Sequence, residues 1–250
     1  LPIDATTVAL LRDALNDHLV LLLRGQDVSN DEQNDFGRIF GEVHLRTKYS
    51  VPIAAPLSQF VSNVRPDGIL GDVELQFHQD HCFYTVPLKG LMLYAIEIPK
   101  SGSVTLFRNA VALHDELPEP LRQRAHDVRL FFDGELTPPY DPGKNKADQP
   151  RAWHDFFWTD PECGKKAMLA SLTTIGKFGG APPEEGKKLF EDVWDYAAKR
   201  EDLVYAHHWA PGDLVVWHNC LSQHARLPFN KAEARTLRRT QIHYNGTYHG

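Results

Sequence analysis

Val8, Leu11, Ala14 and Leu15 recur at helical spacing, and the pattern predicts a helix through His18 with Thr6 or Thr7 as its cap. The apolar run Leu19 to Leu23 then predicts a buried strand ended by Gly25. Ser29 and Glu32 have the spacing of a capping box and open a second helix through Phe36, Ile39 and Phe40. From Ile69 onward the period becomes that of strands: one around His78, then 90–98, 104–108 and 128–132, with a short helix over 118–126. Phe190, Val193, Trp194 and Ala197 share one stripe of a helix over 183–199, which makes Trp194 a core residue. A turn at Pro211-Gly212 launches the strand in "WAPGDLVVWHN", and "RTLRRTQIHYN" reads as the closing strand. The stretch 133–151, rich in Pro, Gly, Asp and Lys, breaks the pattern and reads as a lid loop. No repeat or linker divides the chain. Residues 1–250 therefore read as a single domain, mainly β with flanking helices.

Composition narrows the function classes. The 250 residues suffice to bury a core, and a net charge of −6 disfavours nucleic acid as a partner, because phosphate neutralisation needs a basic face. No apolar run approaches the roughly 20 residues of a membrane span. Cys82, Cys163 and Cys220 are odd in number and widely spaced, which fits a reducing, cytoplasmic setting. The sequence leaves a homo-oligomer open and points to a small-molecule partner.

The common nucleophile, phosphate-loop, dinucleotide and zinc-protease motifs are absent, so 13 histidines leave metal chemistry as the live option. In "QFHQDHCFYTVPLKG", His78 and Asp80 stand two apart, on the same side of an extended strand. An imidazole and a carboxylate there are two ligands of a 2-His-1-carboxylate iron site. His224 in "NCLSQHARLPF" offers the third, and Arg235, Arg238 and Arg239 follow it. A planar bidentate donor of this kind suits the far carboxylate of 2-oxoglutarate in a dry pocket.

With these residues in place, the chain resembles the taurine dioxygenase (TauD/TfdA) family of Fe(II)- and 2-oxoglutarate-dependent oxygenases. The resemblance rests on "FHQD", "PLKGLMLYAIEIPKSGSVTLFRN", "TDPECGKKAML", "WAPGDLVVWHNCLSQHA" and "ARTLRRTQI". It implies a double-stranded β-helix (jelly roll, cupin-like) core, with Fe(II), 2-oxoglutarate and O2 as cofactor and cosubstrates. It also implies iron on His78, Asp80 and His224, and the far carboxylate of 2-oxoglutarate on Thr105 and Arg235. Arg239, an even spacing from Arg235, is expected to meet an anionic substrate. Glu74, read as sharing a strand face with His78 and Asp80, is a second substrate-binding candidate and would suit a zwitterion. Phe77, Phe83 and Tyr84 are candidates for lining an apolar pocket.

The implied activity is hydroxylation of a small anionic or zwitterionic molecule with release of succinate and CO2. The presence of Asp80 favours hydroxylation over halogenation. Desaturation, epimerisation or cyclisation of a natural-product-like substrate is the alternative with the same cofactors. A non-catalytic cupin-like metal-binding module is the alternative from another class, and it has no use for Thr105 and Arg235. Three departures from the family stand out: Ser103-Val104 before Thr105 in place of Gly-Asp, His218 in place of Asp after Trp217, and Gln79 inside the H-x-D motif. His81 is expected to face away from the metal, His218 to be a packed strand residue, and His207 and His208 to be surface or structural.

Overall fold

A computed structural model describes residues 3–45, 57–136 and 149–247. Most of the expected lid, 137–148, lies outside the described residues. Its two described ends are joined by ion pairs from Arg151 to Asp133 and Glu135.

Two sheets face one another. The larger has seven strands, in the order Val20–Leu23, Leu214–His218, Gly90–Glu97, Thr236–His243, Ser58–Ser62 and Gly68–Leu70, with Glu42–Val43 paired to the end of Thr236–His243. The smaller runs Val204–His208, Val104–Asn109, Ser222–Arg226, Leu75–His78. Both are antiparallel except for the pairing of Ser58–Ser62 with Gly68–Leu70. Leu91, Leu93, Val215, Trp217 and Leu237 from the large sheet meet Phe107 from the small one, and this is the jelly-roll core.

Alternation explains why "LVVW" is apolar at every position. Val215 and Trp217 point between the sheets, whereas Leu214 and Val216 point outward beneath Leu15, Ile39 and Phe40. A sheet covered on both faces has no polar side to show. Arg238 also faces outward; its Nε donates to Gln33 Oε1 and its Nη2 to the carbonyls of Val28 and Ser29. It anchors the second helix to the sheet.

Several boundaries differ from the sequence reading. The first helix runs Ala5–His18 and is capped by Asp4, whose carboxylate accepts from the Thr7 amide at 2.9 Å. Asp4 supplies an acceptor with the right extended backbone, so the threonines become helix residues. Leu19 is a left-handed cap with φ 64°, and the strand starts at Val20. The second helix is Asn30–Gly37, with Ile39 and Phe40 packed just beyond its end. The strand Ser58–Ser62 and those at Arg151–Asp155, Phe157–Thr159, Lys166–Met168 and Ile175–Gly179 were not anticipated. Pro183–Ala198 packs over the three-stranded sheet there, and Trp194 stacks on Phe190 at 5.8 Å at the margin of that second core. Among the described residues, no helix is long and apolar enough to cross a membrane.

The capping box is realised in both directions: Glu32 N–H donates to Ser29 Oγ, and Ser29 N–H donates to Glu32 Oε2. Ser29→Ala is expected to lower the unfolding free energy by about 1 kcal/mol in a denaturant titration, leaving 2-oxoglutarate binding unchanged.

Candidate active site

His78 ends the strand Leu75–His78, and His224 sits opposite it on Ser222–Arg226, so strand pairing sets the two imidazoles side by side, ring centres 4.1 Å apart and planes tilted by 43°. Asp80 is not on the strand, as simple alternation would have it, but in the turn that follows. Its Oδ1 still lies 3.2 Å from His78 Nε2 and 3.9 Å from His224 Nε2. One ligand atom from each of the three residues falls within 4.8 Å of the others, a group able to hold a metal ion. His78 Nδ1 lies 2.7 Å from the Gln76 carbonyl; a proton on Nδ1 leaves Nε2 as the donor atom. Burial, helped by neighbouring His78 and Arg239, pushes His224 down to about 3, so this imidazole is neutral near pH 7 with its lone pair available. Burial works to raise the pKa of Asp80, but Arg239 and the imidazoles more than offset it and hold the carboxyl well below its usual range.

Side-chain hydrogen bonds to backbone fix the turn. Asn219 Oδ1 accepts from the Asp80 amide at 2.8 Å, while Asn219 Nδ2 donates to the Asp80 and Leu88 carbonyls. Gln79 points away from the site into the core, where Nε2 donates to the Met168 and Cys220 carbonyls and Oε1 accepts from the Ala170 amide. A Thr or Val there could not span these three groups. This explains the departure at Gln79.

Thr105 lies on Val104–Asn109, across from Arg226, and its Oγ1 accepts from the Trp209 indole at 2.9 Å, which leaves the hydroxyl proton free to donate. Arg235 is 2 % exposed; its Nε donates to Ser103 Oγ at 2.8 Å and its buried Nη1 has no partner among the described residues. Desolvation, with Arg226 nearby, pulls it down to about 9. Ser103, one of the departures from the family pattern, thus holds the guanidinium. Trp209 and Ser103 were missed as site residues, although both lie inside the quoted motifs.

A cavity of about 550 Å³ opens against His78 and Asp80, walled by Leu70, Val73, Leu75, Phe77, Phe83 and Leu172, with Arg239 in its lining. Arg239 Nη2 donates to Asp80 Oδ2 at 2.6 Å and its Nη1 to Gln59 Oε1 at 2.7 Å. Arg235 and Arg239 do not share one regular strand. Arg235 precedes it, and a register shift separates Thr236 from Leu237, so Arg235 lies apart from the cavity lining while Arg239 forms part of it. Glu74 lies before the strand, exposed on the cavity rim, and not on a strand face shared with Asp80. His218 is buried beside Asp160 at 3.3 Å, and His207 beside Asp213 at 3.2 Å; both are structural, and His208 is exposed. His81 is not part of the metal-competent group.

The profile of the taurine catabolism dioxygenase TauD, TfdA family matches residues 1–241. The chain belongs to this family. The match makes it an Fe(II)- and 2-oxoglutarate-dependent dioxygenase with O2 as the other cosubstrate, and sets aside the non-catalytic module. It is 30% identical over 259 residues to the pentalenolactone F synthase of Streptomyces arenae, covering 94% of this chain and 86% of that one. It is 28% identical over 265 residues to the alpha-ketoglutarate-dependent 2,4-dichlorophenoxyacetate dioxygenase of Cupriavidus pinatubonensis, covering 95% and 88%. A taurine dioxygenase structure from Burkholderia xenovorans superposes with a TM-score of 0.79 at 22% identity, covering 97% of this chain and 83% of that one. The structure of AAD-2 with Mn(II) and N-oxalylglycine gives 0.78 at 23%, covering 97% and 89%. These likenesses establish the fold.

The residues present fit the implied groups. Two imidazoles and a carboxylate beside a cavity suit Fe(II), and a buried arginine with no counter-ion among the described residues suits a carboxylate.

Gln79→Ala would strand two buried carbonyls and one amide, each worth about 1–3 kcal/mol. The variant is expected to unfold at markedly lower denaturant concentration and to bind Fe(II) more weakly, as measured by equilibrium dialysis.

Proposed function

We propose that this dioxygenase hydroxylates an organic acid with an apolar body. The cavity carries this reading: it opens on His78 and Asp80, is walled largely by aliphatic and aromatic side chains, and has an arginine, Arg239, in its lining. Its volume exceeds what a two-carbon sulfonate fills and falls in the range of drug-sized ligands. Relatives named for dichlorophenoxyacetate and sulfate esters support an anionic substrate with an apolar part.

In this proposal His78, Asp80 and His224 bind iron, and Thr105 and Arg235 hold the far carboxylate of 2-oxoglutarate. Bound there, the metal and cosubstrate supply O2 activation coupled to decarboxylation of 2-oxoglutarate to succinate and CO2. The protein's part is positioning. Arg239 meets the substrate anion while keeping Asp80 ionised and oriented. Phe77 and Phe83, with the aliphatic wall, exclude water and hold the apolar body. Glu74 on the rim receives a cationic or hydrogen-bond-donating group of the substrate, and Tyr84 packs behind Phe83 at 5.2 Å.

Similarity to two pentalenolactone F synthases, at 28% and 30%, supports a second reading, in which a natural-product-like substrate is desaturated, epimerised or cyclised. The product's mass separates the two: hydroxylation adds one oxygen atom, desaturation or ring closure removes two hydrogens, and epimerisation changes nothing. Free Cys82, Cys163 and Cys220 support a cytoplasmic setting. One domain spanning 1–250 fits the single family match.

Alanine at His78, Asp80 or His224 should cut Fe(II) binding and succinate formation by about 100-fold or more while the protein stays folded by circular dichroism. A folded variant with iron and wild-type turnover would refute the ligand assignment.

Arg235→Lys should raise the Michaelis constant for 2-oxoglutarate by about tenfold, because an ammonium cannot form two parallel bonds to a carboxylate. Arg239→Ala should instead raise that of the organic acid. Unchanged affinity for every acid in a screen of aryl, alicyclic and aliphatic carboxylates and sulfates would refute the anionic-substrate reading.

A further inference from the structure

We propose that Arg226 is a second cosubstrate arginine, which ties the 2-oxoglutarate site to the rim of the substrate cavity. The proposal rests on the cosubstrate assignment above and extends it to a residue outside that set. Arg226 lies two residues beyond His224 on the same strand, so both side chains face the barrel interior, and it pairs with Thr105 on the adjacent strand. It is 5 % exposed, yet among the described residues its buried Nε and Nη1 have no hydrogen-bond partner. The acid nearest in influence, Asp72, is paired with Lys231 at 3.0 Å. Arg235 has the same deficit at Nη1. The two guanidiniums lie 5.7 and 5.5 Å from the centre of one Phe229 ring, on a shared aromatic support.

Two buried cations side by side repel each other, and neither has an acid of its own among the described residues. Burying an unpaired charge is costly, so a group absent from the chain itself must complete the pair. A dicarboxylate whose far end reaches Thr105 and Arg235 brings the missing charge to the place where the unused donors of Arg226 lie.

The third nitrogen has another task. Arg226 Nη2 donates to the Leu70 carbonyl at 2.7 Å and to that of Val73. Leu70 is held at φ 56°, a left-handed conformation that a leucine adopts only when its surroundings impose it. Leu70, Gly71, Asp72, Val73 and Glu74 form one wall of the substrate cavity. One guanidinium therefore holds the rim with Nη2 and offers Nε and Nη1 to the cosubstrate. Carboxylate binding fixes the guanidinium, and the fixed guanidinium steadies the rim.

The experiment measures binding without turnover. Anaerobic Fe(II) protein is titrated with 2-oxoglutarate and with 2-oxovalerate, which has the same keto-acid end but no far carboxylate. Amide hydrogen exchange of residues 70–75 is followed with and without 2-oxoglutarate. In Arg226→Met, affinity for 2-oxoglutarate should fall at least tenfold while that for 2-oxovalerate stays unchanged. In wild type, 2-oxoglutarate should slow exchange at 70–75, and in the variant this slowing should vanish. Arg226→Gln keeps a donor for the rim carbonyls without the charge, and is the folded alternative if the methionine variant unfolds; it should show the same selective loss. Equal loss for both keto acids, or none for 2-oxoglutarate, overturns the proposal, as does wild-type exchange at 70–75 that ignores 2-oxoglutarate. Arg235→Met separates the two levels. If it loses 2-oxoglutarate while the Arg226 variants do not, only this inference fails; if wild type binds no 2-oxoglutarate, the cosubstrate assignment itself fails.

Discussion

The ionised carboxylate of Asp80 is the constraint around which the site is arranged. A carboxylate this enclosed would take up a proton if left alone, and a protonated acid is a poor metal ligand. Arg239 prevents that from one side with a 2.6 Å hydrogen bond, and the imidazoles of His78 and His224 assist from the other. Arg239 is itself steadied by Gln59 on the strand Ser58–Ser62, which lies beside the closing strand in the large sheet. Asn219, at the end of another strand of that sheet, grips the Asp80 peptide on both its amide and its carbonyl. The metal-competent group sits on the small sheet, but the large sheet sets its charge and position.

That division explains what the sequence made legible. The meeting of His78 and His224 was readable because their spacing and neighbours follow strand grammar, whereas Thr105 and Arg235 were singled out by the family's spacing and their cosubstrate role is a proposal. The inward face of "LVVWHN" and the helix stripe at Phe190 were readable for the same reason: a repeating period encodes a buried face. Gln59 was not, because the short strand carrying it, "SQFVS", is buried on alternating polar and apolar residues alike. The small strands between Arg151 and Gly179 gave no signal of comparable length. Asp80 joined its partners through a turn, not through strand alternation, so the conclusion of convergence stood on a simpler geometry than the one the chain uses. The separation of Arg235 from Arg239 depends on a register shift that no two-residue period announces.

The departures from the family pattern make physical sense once the neighbours are visible. Where relatives place an aspartate after the strand tryptophan, this chain has His218, and the missing carboxylate comes from Asp160 on a distant loop at 3.3 Å. Tyr244 donates to the same Asp160 oxygen, and burial is more than offset by these two partners in holding that carboxyl below its usual range. Ser103 stands where the family usually has a glycine and supplies the acceptor for Arg235 Nε. In both cases the departing residue has a polar partner within this chain.

Three buried arginines line this end of the barrel in a protein of net charge −6, and they are not equivalent. Arg239 has an internal acid and serves the folded state whether or not ligand is present. Among the described residues Arg235 and Arg226 have none, and unfilled buried donors cost folding stability. Stability alone would favour replacing either with a neutral side chain of similar volume, as with other unpaired buried charges. Their burial at 2 % and 5 % exposure fits the proposed role of both in receiving the far carboxylate of 2-oxoglutarate. In the proposed assignment the chain gives up part of its folding free energy where a dianionic cosubstrate returns it, and the site becomes selective: a keto acid without the second carboxylate leaves the deficit in place.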